Sequence, residues 1–191
     1  MSSQKNPVKN NFELSQVLLF LSLVFFAFCM RFLPHLFNVT PIMAVALLSG
    51  FHFKNKSIAV LVPLSAMFLS DLFIGLHSLL LFIYVPILIS VFLGAWMQSK
   101  NQNKAWPVKQ SLQLSVIGSV LFFAISNLGV FFLSGMYPLN SLGLTSCYAA
   151  AIPFFERSLI GDLMFTAALF SIYSFARQAF PKLAAKELSH G

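Results

Sequence analysis

Residues 112–133 read LQLSVIGSVLFFAISNLGVFFL, twenty-two positions without a charged side chain. At about 1.5 Å per residue this makes a helix of about 33 Å, enough to cross a hydrocarbon core of about 30 Å. A helix on the surface of a soluble protein needs a charged face, and this one has none. Working outward, residues 14–33, 57–74, 78–97 and 158–176 are of the same kind, with at most one charged residue each. Residues 39–53 are equally apolar but shorter. Fifteen residues reach about 22 Å, so this segment either thins the bilayer or is re-entrant. Thr40 is the expected N-cap, Pro41 the first helical position, and Pro86 an expected kink.

The whole chain agrees with that stretch. Of 191 residues, 58% are hydrophobic and 9% charged, and the mean hydropathy is +0.83. Soluble domains carry about 25% charged residues. A soluble enzyme, a nucleic-acid module and a disordered chain are therefore excluded, and lipid is the expected solvent. The length holds one membrane domain. Cys29 and Cys147 are too few for a disulfide framework and lack zinc-ribbon spacing. Lys5 and Lys9 ahead of an apolar run resemble a signal peptide. Phe25, Phe26 and Phe28 crowd the small residue a cleavage site needs, so an uncleaved first helix is expected.

The net charge of +7 reports topology rather than nucleic-acid binding. With six spans and a cytoplasmic N-terminus, ten of the twelve Lys and Arg fall inside, leaving Arg31 and Arg157 outside. With five spans the best split is nine to three. The expected architecture is all-α: a polytopic six-helix transmembrane bundle with both termini cytoplasmic. It has tails at 1–13 and 179–191 and a membrane domain at 14–178. The outer connection 134–157 is too apolar for disorder. It is expected to fold back as a short helix around residues 142–151 that caps the bundle.

Placed on this topology, the polar residues gather toward the outer face. The candidates for a substrate site are Arg31, His35, Asn38, Asp71, Asn127, Tyr137, Cys147, Tyr148, Arg157 and Asp162. Ionisable groups inside a membrane are costly and mark function by default. Equally, Asp71 and Asp162 could pair with Arg31 and Arg157 simply to tie helix ends together. His35 and His77 lack the i,i+4 spacing of a metal site. Cys147 reads more simply as a buried small residue than as a nucleophile. No nucleotide, metalloprotease or serine-hydrolase motif is present, so neither a cofactor nor an enzymatic activity is expected.

Three blocks carry a resemblance: RFLPHLFNVTPIMA at 31–44, PLSAMFLSD at 63–71, and GLTSCYAAAIPFFERSLIGD at 143–162. Together they resemble an uncharacterised family of bacterial inner-membrane proteins assigned to transport in name only. The architecture also looks like the substrate-binding S-components of energy-coupling-factor vitamin transporters, by analogy of fold. That resemblance implies six helices, cytoplasmic termini, and a vitamin- or cofactor-like substrate held by the loops after helices one, three and five. It further implies docking on an energising transmembrane and ATPase module through small residues. Helix one is bulky here, and Ala44, Ala46, Ser49 and Gly50 form the closest small-residue surface. The expected function is uptake of a small molecule across the bacterial inner membrane. The alternative is a membrane scaffold in envelope or cell-shape assembly. An intramembrane enzyme using Cys147 with His35 or His77 is the third and weakest reading.

Overall fold

A computed structural model describes residues 7–32, 39–76, 78–100 and 108–179, with side chains from residue 16 onward. Six helices follow in order: α1 (Pro7–Met30), α2 (Ile42–His52), α3 (Lys56–Ile74), α4 (Leu80–Lys100), α5 (Val108–Leu133) and α6 (Ser141–Ala179). Among the described residues there is no strand. Helices α3, α4, α5 and α6 are long and apolar enough to cross a membrane. Many outward side chains on these helices are large and apolar, among them Phe73, Phe92, Ile117, Phe132, Met164 and Phe175. Much of the polar content turns inward, with Ser49, Ser70, Asp71, Ser90, Ser115, Ser119, Asp162 and Thr166 buried. Apolar outside and hydroxyl-rich inside is the arrangement that fits a membrane-embedded protein.

The doubtful second segment is an 11-residue helix, about 16 Å long and too short to cross a hydrocarbon core. Every residue from Ile42 to Phe51 is buried. A helix that is apolar all round has no face to give to water, and α2 is packed by α3, α4, α5 and α6. Its first turn starts one residue later than expected. Pro41 is the N-cap residue, without a side-chain hydrogen bond, and its carbonyl accepts from the Val45 N–H at 2.9 Å.

Helices α2 and α4 approach backbone to backbone. A Cβ on Gly50 would fall 1.9 Å from the Val91 carbonyl oxygen, and one on Gly94 would fall 2.1 Å from that of Leu47. Ala44, Ala46, Ser49 and Gly50 therefore lie inside the molecule. The small-residue surface considered above for docking on an energising module is not exposed; it serves internal packing. Pro63, inside α3, cannot donate to the Ala59 carbonyl. The Ser49 hydroxyl of α2 lies 2.9 Å from that oxygen and also 2.9 Å from the Ala46 carbonyl of its own helix, so its one hydrogen can turn to the acceptor that Pro63 leaves empty.

Contacts at the helix ends fix how the elements run. His52, closing α2, meets Tyr173 near the end of α6 and Gln16 early in α1. Gln98, near the end of α4, donates to the Phe51 and His52 carbonyls and accepts from Lys56 at the start of α3. At the opposite end, Arg31 after α1 meets Asp71 late in α3 and, through it, Tyr84 early in α4. The start of α1 and the end of α6 thus share the His52 end. Successive helices alternate in direction, with α2 extending only part of the way.

The region 134–157 departs from its expected form. Residues 142–151 are helical, but within a single helix of 39 residues that continues through Pro153 to Ala179. Only residues 134–140 connect α5 to α6. Asp162 accordingly sits near the middle of α6 instead of one turn from its beginning.

Candidate functional site

The ten candidate residues divide by location. At the Arg31 end, the guanidinium donates to Asp71 Oδ1 at 2.8 Å, and the Tyr84 hydroxyl donates to Asp71 Oδ2 at 2.8 Å. Arg31 also contacts the Met67 sulfur. Asp71 is only 1% exposed, so both its oxygens are satisfied within the protein. Ser70, its neighbour, turns back onto the carbonyls of Ala66 and Met67 on its own helix. The arrangement clamps α1, α3 and α4 together.

Asn127, Cys147 and Tyr148 come together where α5 meets the first part of α6. The Tyr148 hydroxyl donates to the Ala124 carbonyl at 2.6 Å, and the Cys147 thiol lies 3.6 Å from the Asn127 carbonyl. The Asn127 amide donates to the Phe123 carbonyl one turn back on its own helix at 2.7 Å. The Phe123 ring lies against those of Tyr148 and Phe155. These polar atoms are occupied by backbone carbonyls, so the group is a helix-packing seam. Tyr137 is half-buried in the 134–140 connection. Arg157 and Glu156 are exposed on α6, and among the described residues neither forms an ion pair. His35, Asn38 and His77 lie outside the described residues.

The group with chemical potential lies deeper. Asp162 of α6 is 3% exposed. It accepts a hydrogen bond from Ser119 of α5 at 2.6 Å. One turn along each helix, the Thr166 hydroxyl bonds the Ser115 hydroxyl at 3.1 Å. Ser90 of α4 faces the same level, since a Cβ on Gly118 would fall 2.9 Å from its hydroxyl and 3.4 Å from the Met43 methyl. The pairing of Asp162 with Arg157, one of the two alternatives left open, does not occur among the described residues. Arg157 lies five residues earlier on the outward side of the helix, and a serine takes its place. Ser115, Ser119, Thr166 and Ser90 were missing from the sequence reading. The signal was present in the i,i+4 spacing of Ser115 with Ser119 and of Asp162 with Thr166, which puts each pair on one helix face.

The start of α2 belongs to the same level. Met43, in its first turn, reaches Ser90 through its sulfur at 4.0 Å. Val39 packs so closely on Gly161, beside Asp162, that a Cβ there would meet it at 2.7 Å. Ser90 precedes Gln98 by eight residues, about 12 Å along α4, so α2 climbs from the His52 end only to mid-bundle. Its first backbone N–H groups, which have no partners within the helix, face the level of Asp162.

A model described as a family of unknown function (DUF6580) matches residues 11–183. The chain belongs to that family. No curated protein and no solved structure matches it. The family match covers the α1–α3 clamp, the α5–α6 seam and the Asp162 level alike. A surface groove of about 650 Å³ between α1 and α3 is lined by Leu18, Leu21, Phe25, Phe28, Leu69 and Phe73 among others. None of the candidate residues lines it. Among the described residues no three His, Cys, Asp or Glu gather as metal ligands would.

Proposed function

We propose that this chain is an uptake protein of the bacterial inner membrane that takes a small, vitamin- or cofactor-like molecule from the outer face. The observation that carries the reading is the half-length helix α2. It ends at mid-bundle beside a buried carboxylate and four hydroxyls. Non-helical backbone at membrane depth is tolerated only inside protein or along a water-filled cavity. Transporters place their sites at such broken helices, near the bilayer midplane, with half-helix termini and buried polar groups turned to the cargo. A chain needing only an apolar anchor has no use for Asp162 in that position.

The distribution of cations supports the six-segment topology with both termini in the cytoplasm. Lys54, Lys56, Lys100, Lys109 and Arg177 lie at or near the His52 end, and Arg31 and Arg157 lie toward the other. Positive charge favours the cytoplasmic side, which makes the Arg31 end the outer one. In this arrangement α2 counts as a segment without crossing alone. The likeness to S-components supports a vitamin-class cargo. An energising partner would have to dock elsewhere than on the buried small residues of α2.

The second reading, a membrane scaffold, draws on one observation: the Arg31–Asp71–Tyr84 cluster is closed and leaves nothing for a ligand. A binding assay separates the two. Purified protein is screened by thermal shift against vitamins and cofactors, and hits are measured by calorimetry. Uptake predicts a ligand whose binding weakens at least tenfold in Asp162→Asn and not in Arg157→Gln. A ligand that binds both variants equally, or deletion cells with normal uptake and misshapen envelopes, sinks the uptake reading.

A further inference from the structure

We propose that Asp162 is a proton-binding site, holding a proton in the resting protein and releasing it when the bundle opens. The hydrogen-bond inventory carries the inference. Ser119 Oγ lies 2.6 Å from Asp162 Oδ2 and 2.9 Å from the Ser115 carbonyl oxygen. A serine hydroxyl has one hydrogen and cannot donate to both. With the carboxylate ionised, that hydrogen points to Oδ2. With the carboxyl protonated, Oδ2–H donates to Ser119 Oγ, and the Ser119 hydrogen turns to the Ser115 carbonyl. The same heavy-atom positions satisfy both states, so a proton joins or leaves by rotation of one hydroxyl.

The surroundings favour the neutral form. On α5, Asp162 is faced by Ser119, with Ser115 and Gly118 on the same side; on its own helix Thr166 follows one turn on. Helix α4 contributes Ser90 at this level, and the start of α2 contributes Met43 and the preceding Val39. None of these is a cation. From Ile42 to Phe51, α2 carries no ionisable side chain. On α5 the only charge is Lys109, ten residues and about 15 Å away. On α6, Glu156 and Arg157 point outward and Arg177 is near the far end. On α3 and α4, Asp71 is paired with Arg31 and accepts from Tyr84, and Lys56 and Lys100 lie at the His52 end. Among the described residues no cation lies beside this carboxylate; a buried carboxylate so placed is costly, and binding a proton removes that cost without losing the hydrogen bond. The step is balanced: one O–H bond forms or breaks, and the proton is exchanged with bulk water.

This inference rests on the uptake reading for its purpose only, since protonation is measured on the resting protein. The chain has just two aspartates, Asp71 and Asp162. Wild-type protein carrying carbon-13 at the aspartate side-chain carboxyls and reconstituted in lipid therefore gives two solid-state NMR signals, with no need for a variant at position 162. At neutral pH one signal is expected at an ionised position, assigned to Asp71 by its loss in Asp71→Asn. The other is expected at a protonated position, and it should shift in Ser119→Ala. Infrared spectra should show a carboxylic-acid carbonyl band that moves in heavy water. Two ionised signals at neutral pH overturn the proposal, as does a second signal set by sodium concentration at constant pH. A protonated Asp162 in a protein whose deletion leaves uptake normal and the envelope misshapen overturns the uptake reading and leaves the proton site standing.

Discussion

The Arg31 guanidinium is the cation for a carboxylate that is 1% exposed, and the Tyr84 hydroxyl supplies the other bond. Removing one partner of a buried ion pair leaves a bare charge, at a cost of about 3–5 kcal/mol. Arg31→Met is therefore expected to lower the unfolding midpoint in detergent sharply, while Arg31→Met combined with Asp71→Asn recovers most of the loss. Equal losses in the single and double variants would show that packing of the arginine stem, not charge, holds the corner. Tyr84→Phe is expected to cost about 1–3 kcal/mol by freeing one Asp71 oxygen. At this scale the sequence was partly legible. Arg31 and Asp71 stand out in an apolar chain, and their pairing was one of two open readings. Tyr84 did not stand out, because a lone tyrosine in an apolar run reads as packing. For Asp162, charge complementarity leaves Arg157 open as a partner, and only the turn of α6 shows that arginine facing outward.

Among elements, α2 shows how a short helix is held without reaching across. Its Ser49 hydroxyl serves the Ala59 carbonyl freed by Pro63, and Gln98 donates to its last carbonyls, Phe51 and His52. Ser49→Ala leaves a buried acceptor empty and is expected to cost about 1–3 kcal/mol. The same substitution made with Pro63→Ala, which restores a backbone donor, should cost less; an equal cost would mean that the bond to Ala59 contributes nothing. Gly50→Ala and Gly94→Ala drive a methyl group into opposing backbone, and each is expected to cost more than about 3 kcal/mol. Gly118→Ala should be milder, because a Cβ there meets only the hydroxyl of Ser90 and the methyl of Met43, both ends of movable side chains. Unfolding melts of the three variants rank them directly. The long apolar runs located α3, α4 and α5 well, since hydropathy is a property of consecutive residues. The start of α6 was not visible in the same way. Pro153 and the mixed polarity of 134–157 read as a connection, whereas packing of Cys147 and Tyr148 on α5 keeps that stretch helical.

Over the whole molecule, the fold sorts its charges by end. A single cysteine introduced at Lys54 in a Cys29→Ser, Cys147→Ser background is expected to resist an impermeant thiol reagent applied to intact cells. One introduced at Glu156 is expected to react. The reverse pattern would invert the proposed orientation, and labelling of both would break the alternating topology. The alternation of the helices is read from contacts at their ends, and counting lysines and arginines adds only the proposed side for each end. The depth at which α2 stops was not legible in the sequence, because it depends on contacts with α4, α5 and α6 that lie far along the chain.

That dependence bears on how the protein is made. Ten consecutive residues of α2 are buried within the protein, yet α4, α5 and α6, which enclose them, leave the ribosome later. An 11-residue helix cannot be inserted as a stable crossing by its own hydrophobicity. Its final place exists only once the later helices have arrived. A chain truncated after α3 should therefore leave residues 42–52 open to proteolysis, and one ending after α6 should protect them. Assembly of the centre is the last event in biogenesis, although its sequence is among the first to be synthesised.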